Sequence, residues 1–117
     1  MIPDGVEVFV GAQPIDLRWS FDRLACVVEA RFGRDVRAGA LFVFFGKRRS
    51  AIKVLFHDGS GLCLFYKRLD AGLFVPPQGY PDEPVFEVPT HVLDALLDGV
   101  ATEKRRRRES RTKHRIH

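Results

Sequence analysis

Between Ala40 and Leu69 the chain carries three apolar runs, Ala40 to Phe45 (ALFVFF), Ala51 to His57 (AIKVLFH) and Gly61 to Leu69 (GLCLFYKRL), parted by GKRRS and DGS. Short runs rich in Phe, Val, Ile and Leu, closed by glycine-bearing separators, read as strands rather than helices. Three such runs in succession predict an antiparallel β-meander. Asp58-Gly59 strengthens the second turn, because both residues tolerate positive φ. With Phe45 facing Ala51, the pleat sets Phe42, Phe44, Ile52, Val54 and Phe56 on one face, joined by Cys63 and Phe65. That apolar face is expected to receive a helix, with Leu41, Val43, Lys53, Leu55 and Tyr66 opposite.

The flanking segments supply the remaining elements. Val6 to Val10 alternates and predicts a first strand, closed by Gly11 and Pro14. Ser20 is placed to cap a helix in which Phe21, Leu24, Ala25, Val28 and Phe32 form one stripe, ended by Gly33. Gly72 to Pro84 holds four of the seven prolines and predicts a long loop. Phe86 to Val88 reads as a short edge strand. Thr90 then caps a second helix with the stripe Val92, Leu93, Leu96, Leu97 and Val100. The expected fold is α+β: an antiparallel sheet of about four strands, a helix packed on one face and a second, C-terminal helix. Residues 1–100 form a single domain and 101–117 a flexible basic tail.

Charge separates those two parts. Eight of the nineteen Lys and Arg residues lie beyond Val100, against Glu103 and Glu109, leaving eleven cations and thirteen carboxylates before it. The overall charge of +4 therefore belongs to the tail, and anion affinity elsewhere needs local clustering. No apolar run approaches the roughly 20 residues of a membrane span, and the N-terminus has no leader pattern, so a cytoplasmic protein is expected. Cys26 and Cys63 lie in apolar segments without metal-ligand spacing and read as small core residues.

Asp16, Asp58 and Asp70 at element ends are the carboxylates a two-metal nuclease would need, but turn formation and local pairing account for them more simply. No nucleophile elbow or phosphate-binding glycine loop occurs, and no cofactor is expected. Lys47, Arg48 and Arg49 at the hairpin tip, with Lys53, Lys67 and Arg68 on neighbouring strands, compose a possible phosphate-neutralising patch; tip charges also serve solubility and block edge pairing. Lys104, Arg105, Arg106, Arg107 and Arg108 form a second candidate contact for nucleic acid. Trp19, Phe74 and Tyr80 are aromatic candidates for stacking, partner docking or simple anchoring.

The order of motifs is specific. PIDLR (Pro14 to Arg18), Leu24-Ala25, and GALFVFFGKRRSAIKVLFHDGSGLCLFYKRLDAGLF (Gly39 to Phe74) are followed by a proline-rich stretch and a leucine-bearing helix. This resembles the small TnpB accessory protein of the bacterial insertion-sequence family numbered sixty-six, over about residues 6 to 100. The match sets Asp16 and Arg18 on a DxR element, Arg48 and Arg49 on a basic turn, Lys53 on a lone strand lysine, Lys67 and Arg68 on YKRL, and Gly72 and Phe74 on GxF. Departures are Gly46-Lys47 before the arginines, His57 in place of tryptophan and Asp70 in place of glutamate. The resemblance implies a role in transposition without catalysis, beside a large DDE-type transposase and another small accessory protein. The expected site is then Arg18, Lys47, Arg48, Arg49, Lys53, Lys67 and Arg68 with the tail cations on DNA, and Phe74 against the transposase. A protein adaptor that touches no DNA is the alternative.

Overall fold

The strands arise at the apolar runs, except that the first, expected over Val6 to Val10 and closed by Gly11 and Pro14, runs through both of those residues to Ile15; their order follows from what each can cover. The computed structural model describes residues 5–77 and 83–99. Strands β1 (Val8–Ile15), β2 (Leu41–Gly46), β3 (Ala51–His57), β4 (Leu62–Arg68) and β5 (Val85–Val88) form one sheet in the order β4-β3-β2-β1-β5. The meander β2-β3-β4 is antiparallel as expected. β1 lies parallel to β2 and antiparallel to β5, so the sheet is mixed and has five strands rather than about four. The parallel pair requires a crossover, which helix α1 (Phe21–Val27) and the π-helical turn Val28–Phe32 provide. Gly33, at φ 63°, ends it as the sequence indicates. Helix α2 (Thr90–Asp98) follows β5, with Pro89 rather than Thr90 at its N-cap.

Both faces of the sheet are covered, which corrects the expected register. Phe45 pairs with Ile52, not Ala51, and Phe42 with Leu55. A one-residue slip turns every side chain of β3 to the other face relative to β2. Phe42, Phe44 and Leu55 therefore face α1, in a cluster with Phe9, Leu24 and Val28. Val43, Phe45, Ile52 and Val54 face α2, in a cluster with Val8, Val10, Leu93 and Leu96. Ile52, Val54, Phe56, Cys63 and Phe65 do share one face, because the second loop keeps the expected parity: it spans 58–61, with Phe56 opposite Cys63. Cys26 is exposed on α1 and Cys63 half-buried, so neither is a core residue.

Two placements shape the ends of the sheet. α2 starts beside β1, just after Val88 pairs with Val8, and its last turn reaches β4, where Lys67 Nζ donates to the Leu97 carbonyl at 2.7 Å. It thus crosses the sheet diagonally. Phe74 is wholly buried in the α2-side cluster, and its N–H donates to the Arg49 carbonyl at 2.8 Å. Burying such a ring contributes about 2 kcal/mol, so Phe74 anchors its loop and is not a free docking residue. Tyr80, Val100 and Lys104 to Arg108 lie outside the described residues.

Candidate nucleic-acid interface

Because β1 and β2 are parallel, the loop after β1 and the β2–β3 hairpin tip emerge at the same end of the sheet, together with the last residue of β4. The chain between Gly46 and Ala51 turns sharply: Arg49 N–H donates to the Gly46 carbonyl at 3.1 Å, and Arg49 takes φ 56°, an uncommon conformation for a residue with a Cβ. Lys47, Arg48 and Arg49 are all exposed there. The guanidinium of Arg49 lies 5.9 Å from the Phe45 ring centroid, and Leu69 N–H donates to the Ser50 carbonyl at 2.9 Å. The tip is thereby held by β4 and by the Phe74 segment.

The facing loop is built by Asp16 and Arg18. Asp16 accepts from the Arg18 backbone N–H at 2.9 Å and forms a two-pronged pair with its guanidinium, closest at 2.6 Å. These hydrogen bonds, side chain first, pull the Asp16 carboxyl down to about 2. The pair holds a carboxylate in the middle of a cationic surface, where it offsets one charge. Between loop and tip lies an open groove of about 490 Å³, lined by Pro14, Asp16, Leu17, Lys47, Arg48 and Ser50.

Lys53 stands beneath this groove rather than in it. It is 4% exposed, faces α1, and donates to the carbonyls of Leu17 at 2.7 Å and Trp19 at 2.6 Å. Its ammonium also lies 5.0 Å from the Tyr66 ring. Burial lowers its pKa, with the nearby Asp16 charge acting in the opposite sense. The register slip is the reason: Lys53 pairs with Phe44 and shares its face, so the expectation of an exposed phosphate ligand is corrected to an internal brace. Lys67 is similarly engaged by α2, on the face opposite Arg68. Arg18 and Arg68 are exposed at the cationic end.

Three further residues belong to this surface. Arg23 and Arg31 place their guanidinium carbons 4.7 and 6.0 Å from the Trp19 ring centroid. Arg31 also reaches the Pro14 carbonyl at 3.4 Å, which joins the Trp19 cluster to the groove. Trp19 itself is half-buried. The four-residue spacing of Trp19 and Arg23 at a helix entry was the available signal. The parallel β1–β2 pairing that carries both to the tip left none.

The carboxylates do not assemble. Asp16 follows β1 at the cationic end, whereas Asp58 follows β3 at the opposite end of the sheet. Asp58 accepts from Ser60 N–H and Oγ and from Gly61 N–H, and those bonds lower its carboxyl to about 2. Among the described residues, no group of three or more His, Cys, Asp or Glu is placed to hold a metal. Nor does any described helix have the length and apolarity to cross a membrane.

Comparison with known proteins places this geometry in a family. No solved structure matches the chain. Of the curated relatives, uncharacterized protein y4hO of Sinorhizobium fredii is 43% identical over 79 residues, 66% of this chain and 69% of that protein. Uncharacterized protein y4jC of the same organism is 34% identical over 73 residues, 62% of each chain. The family model described as IS66 Orf2 like protein matches residues 6–107, nearly the whole sequence, and the chain belongs to that family of insertion-sequence accessory proteins.

Proposed function

We propose that this protein is a non-catalytic accessory factor for transposition whose cationic end binds the DNA backbone. One observation carries the reading: Arg18, Arg23, Arg31, Lys47, Arg48, Arg49 and Arg68, from four separate segments, gather at one end of the sheet around an open groove and a Trp19 ring. Clustered cations release counterions when they neutralise phosphates, and an arginine-flanked aromatic adds a surface for a base or sugar. Asp16, the carboxylate lining the groove, is held in its pair with Arg18 rather than poised against a base or nucleophile, which favours binding over catalysis. Lys104 to Arg108 add charge to the same reading. Family membership supports a place beside the element's transposase and its other accessory protein, in the cytoplasm where the DNA is. Residues 1–100 would act as one domain and 101–117 as a basic appendage.

Gel-shift titration of a duplex from the element's end, across a salt series, tests the reading. Binding should weaken steeply with salt, and Arg48→Ala and Arg23→Ala should each reduce the log–log slope by about 1. Binding that is absent at low salt, or indifferent to salt, would reject DNA contact and favour an adaptor that meets only protein.

A further inference from the structure

The diagonal path of α2 leaves one corner of its sheet face open. At the end remote from the cationic groove, Leu41, Val54, Phe56 and Phe65 floor an apolar cavity of about 390 Å³, walled by Leu93 and Leu97 of α2. Phe65 is 43% exposed, although it sits on the same face as the buried Val54. The volume falls within the range of about 300–1,000 Å³ typical of binding pockets. The two polar side chains of its wall are Asp58 and Asp94, both exposed, and no cation lines it.

We infer that this corner is a second binding surface, which receives a basic amphipathic helix from a partner protein. The apolar floor calls for a row of apolar side chains, which a docking helix presents at i, i+3 and i+4. The rim selects the partner's charge. Asp58 stays ionised because three hydrogen bonds from Ser60 and Gly61 stabilise its carboxylate. A second copy docking through its own α2 would bring its exposed Asp94 against this acidic rim, so like charges oppose that occupant. A cationic helix meets the carboxylates favourably. The residues 100–117 of the same chain are basic but carry few apolar side chains, and match the rim without matching the floor. This inference does not depend on DNA binding, since the surface lies at the other end of the sheet.

The test uses the full chain and a fluorescent 14-residue helical peptide of leucine and lysine, with a leucine–glutamate peptide of the same apolar pattern as its counterpart. Polarisation should show saturable binding of the lysine peptide only. Phe65→Glu and Asp94→Lys, both at exposed positions and checked for fold by circular dichroism, should each weaken it at least tenfold. Arg48→Ala should leave it unchanged. Absence of saturable binding, equal binding of the glutamate peptide, or indifference to both substitutions overturns the proposal. It is also overturned if sedimentation shows a dimer that Phe65→Glu dissociates, which would make a second copy the occupant. A tenfold gain in peptide affinity on replacing Arg105 to Arg108 with glutamine would overturn it as well, by assigning the corner to the chain's own tail.

Discussion

Lys53 shows how one side chain can change role with a single step of register. Its ammonium satisfies the carbonyls of Leu17 and Trp19, the residues that flank Arg18, and so fixes the loop that forms one wall of the groove. Lys53→Met would leave both acceptors without their donor. Each such loss costs about 1–3 kcal/mol, and urea unfolding should register a destabilisation of about 2–4 kcal/mol. Because the ammonium faces inward, the salt slope of DNA binding should not change by the unit expected for Arg48→Ala. A drop of a full unit in Lys53→Met would return Lys53 to the phosphate contacts. The sequence pattern could not fix this register because both faces of β3 are buried: Ile52 and Val54 on one side, Ala51 and Leu55 on the other. Alternation constrains pairing only when one face is wet. The cations of the tip were legible in sequence, since three consecutive charges between two apolar runs mark a solvated turn whichever face of β3 is turned to α1.

At the scale of elements, the groove depends on a close approach between a loop and a strand end. Gly46 ends β2 directly under Leu17, so that a Cβ at Gly46 would stand 2.6 Å from Leu17 Cδ1 and 2.8 Å from its Cγ. Gly46→Ala must therefore displace the Leu17 side chain, which sits between the tip and the Asp16–Arg18 loop. Destabilisation of about 1–3 kcal/mol is expected from such overpacking, with weaker DNA binding. Leu17→Ala on the same background should restore much of the stability. If the double variant is no more stable than Gly46→Ala alone, the strain lies elsewhere. The helices and the meander were readable from periodicity, as was the stop at Gly33. The parallel pairing of β1 with β2 was not, since the two strands are separated by α1 and no local pattern records their direction. The same gap hid Arg23 and Arg31, whose place beside the groove follows from the crossover rather than from their neighbours in sequence.

For the molecule as a whole, acid should loosen both ends of the sheet together. Asp16 and Asp58 titrate at about 2 in the folded protein, below the ordinary 3.8. Between those values the unfolded chain binds more protons, so stability is full above about pH 4 and falls as pH drops toward 2. Urea midpoints measured from pH 5 to 2.5 should decline along this path, and more gently in an Asp16→Asn, Asp58→Asn double variant. A wild-type midpoint that does not move over this range would show that neither carboxylate is held as described.

The pairing of Val8 with Val88 has a temporal consequence. β2, β3 and β4 are joined by short turns and can assemble as soon as they are synthesised, because loop closure between near neighbours is fast. β1 is made first, yet it must wait for β2 to emerge on one side and for β5, almost eighty residues later, on the other. Until then it presents VFVGAQPI with an unsatisfied edge. A ribosome stalled before Val85 would hold a formed hairpin core and a first strand with its β5 edge still unpaired, the part of the chain most open to chaperone capture or wrong pairing.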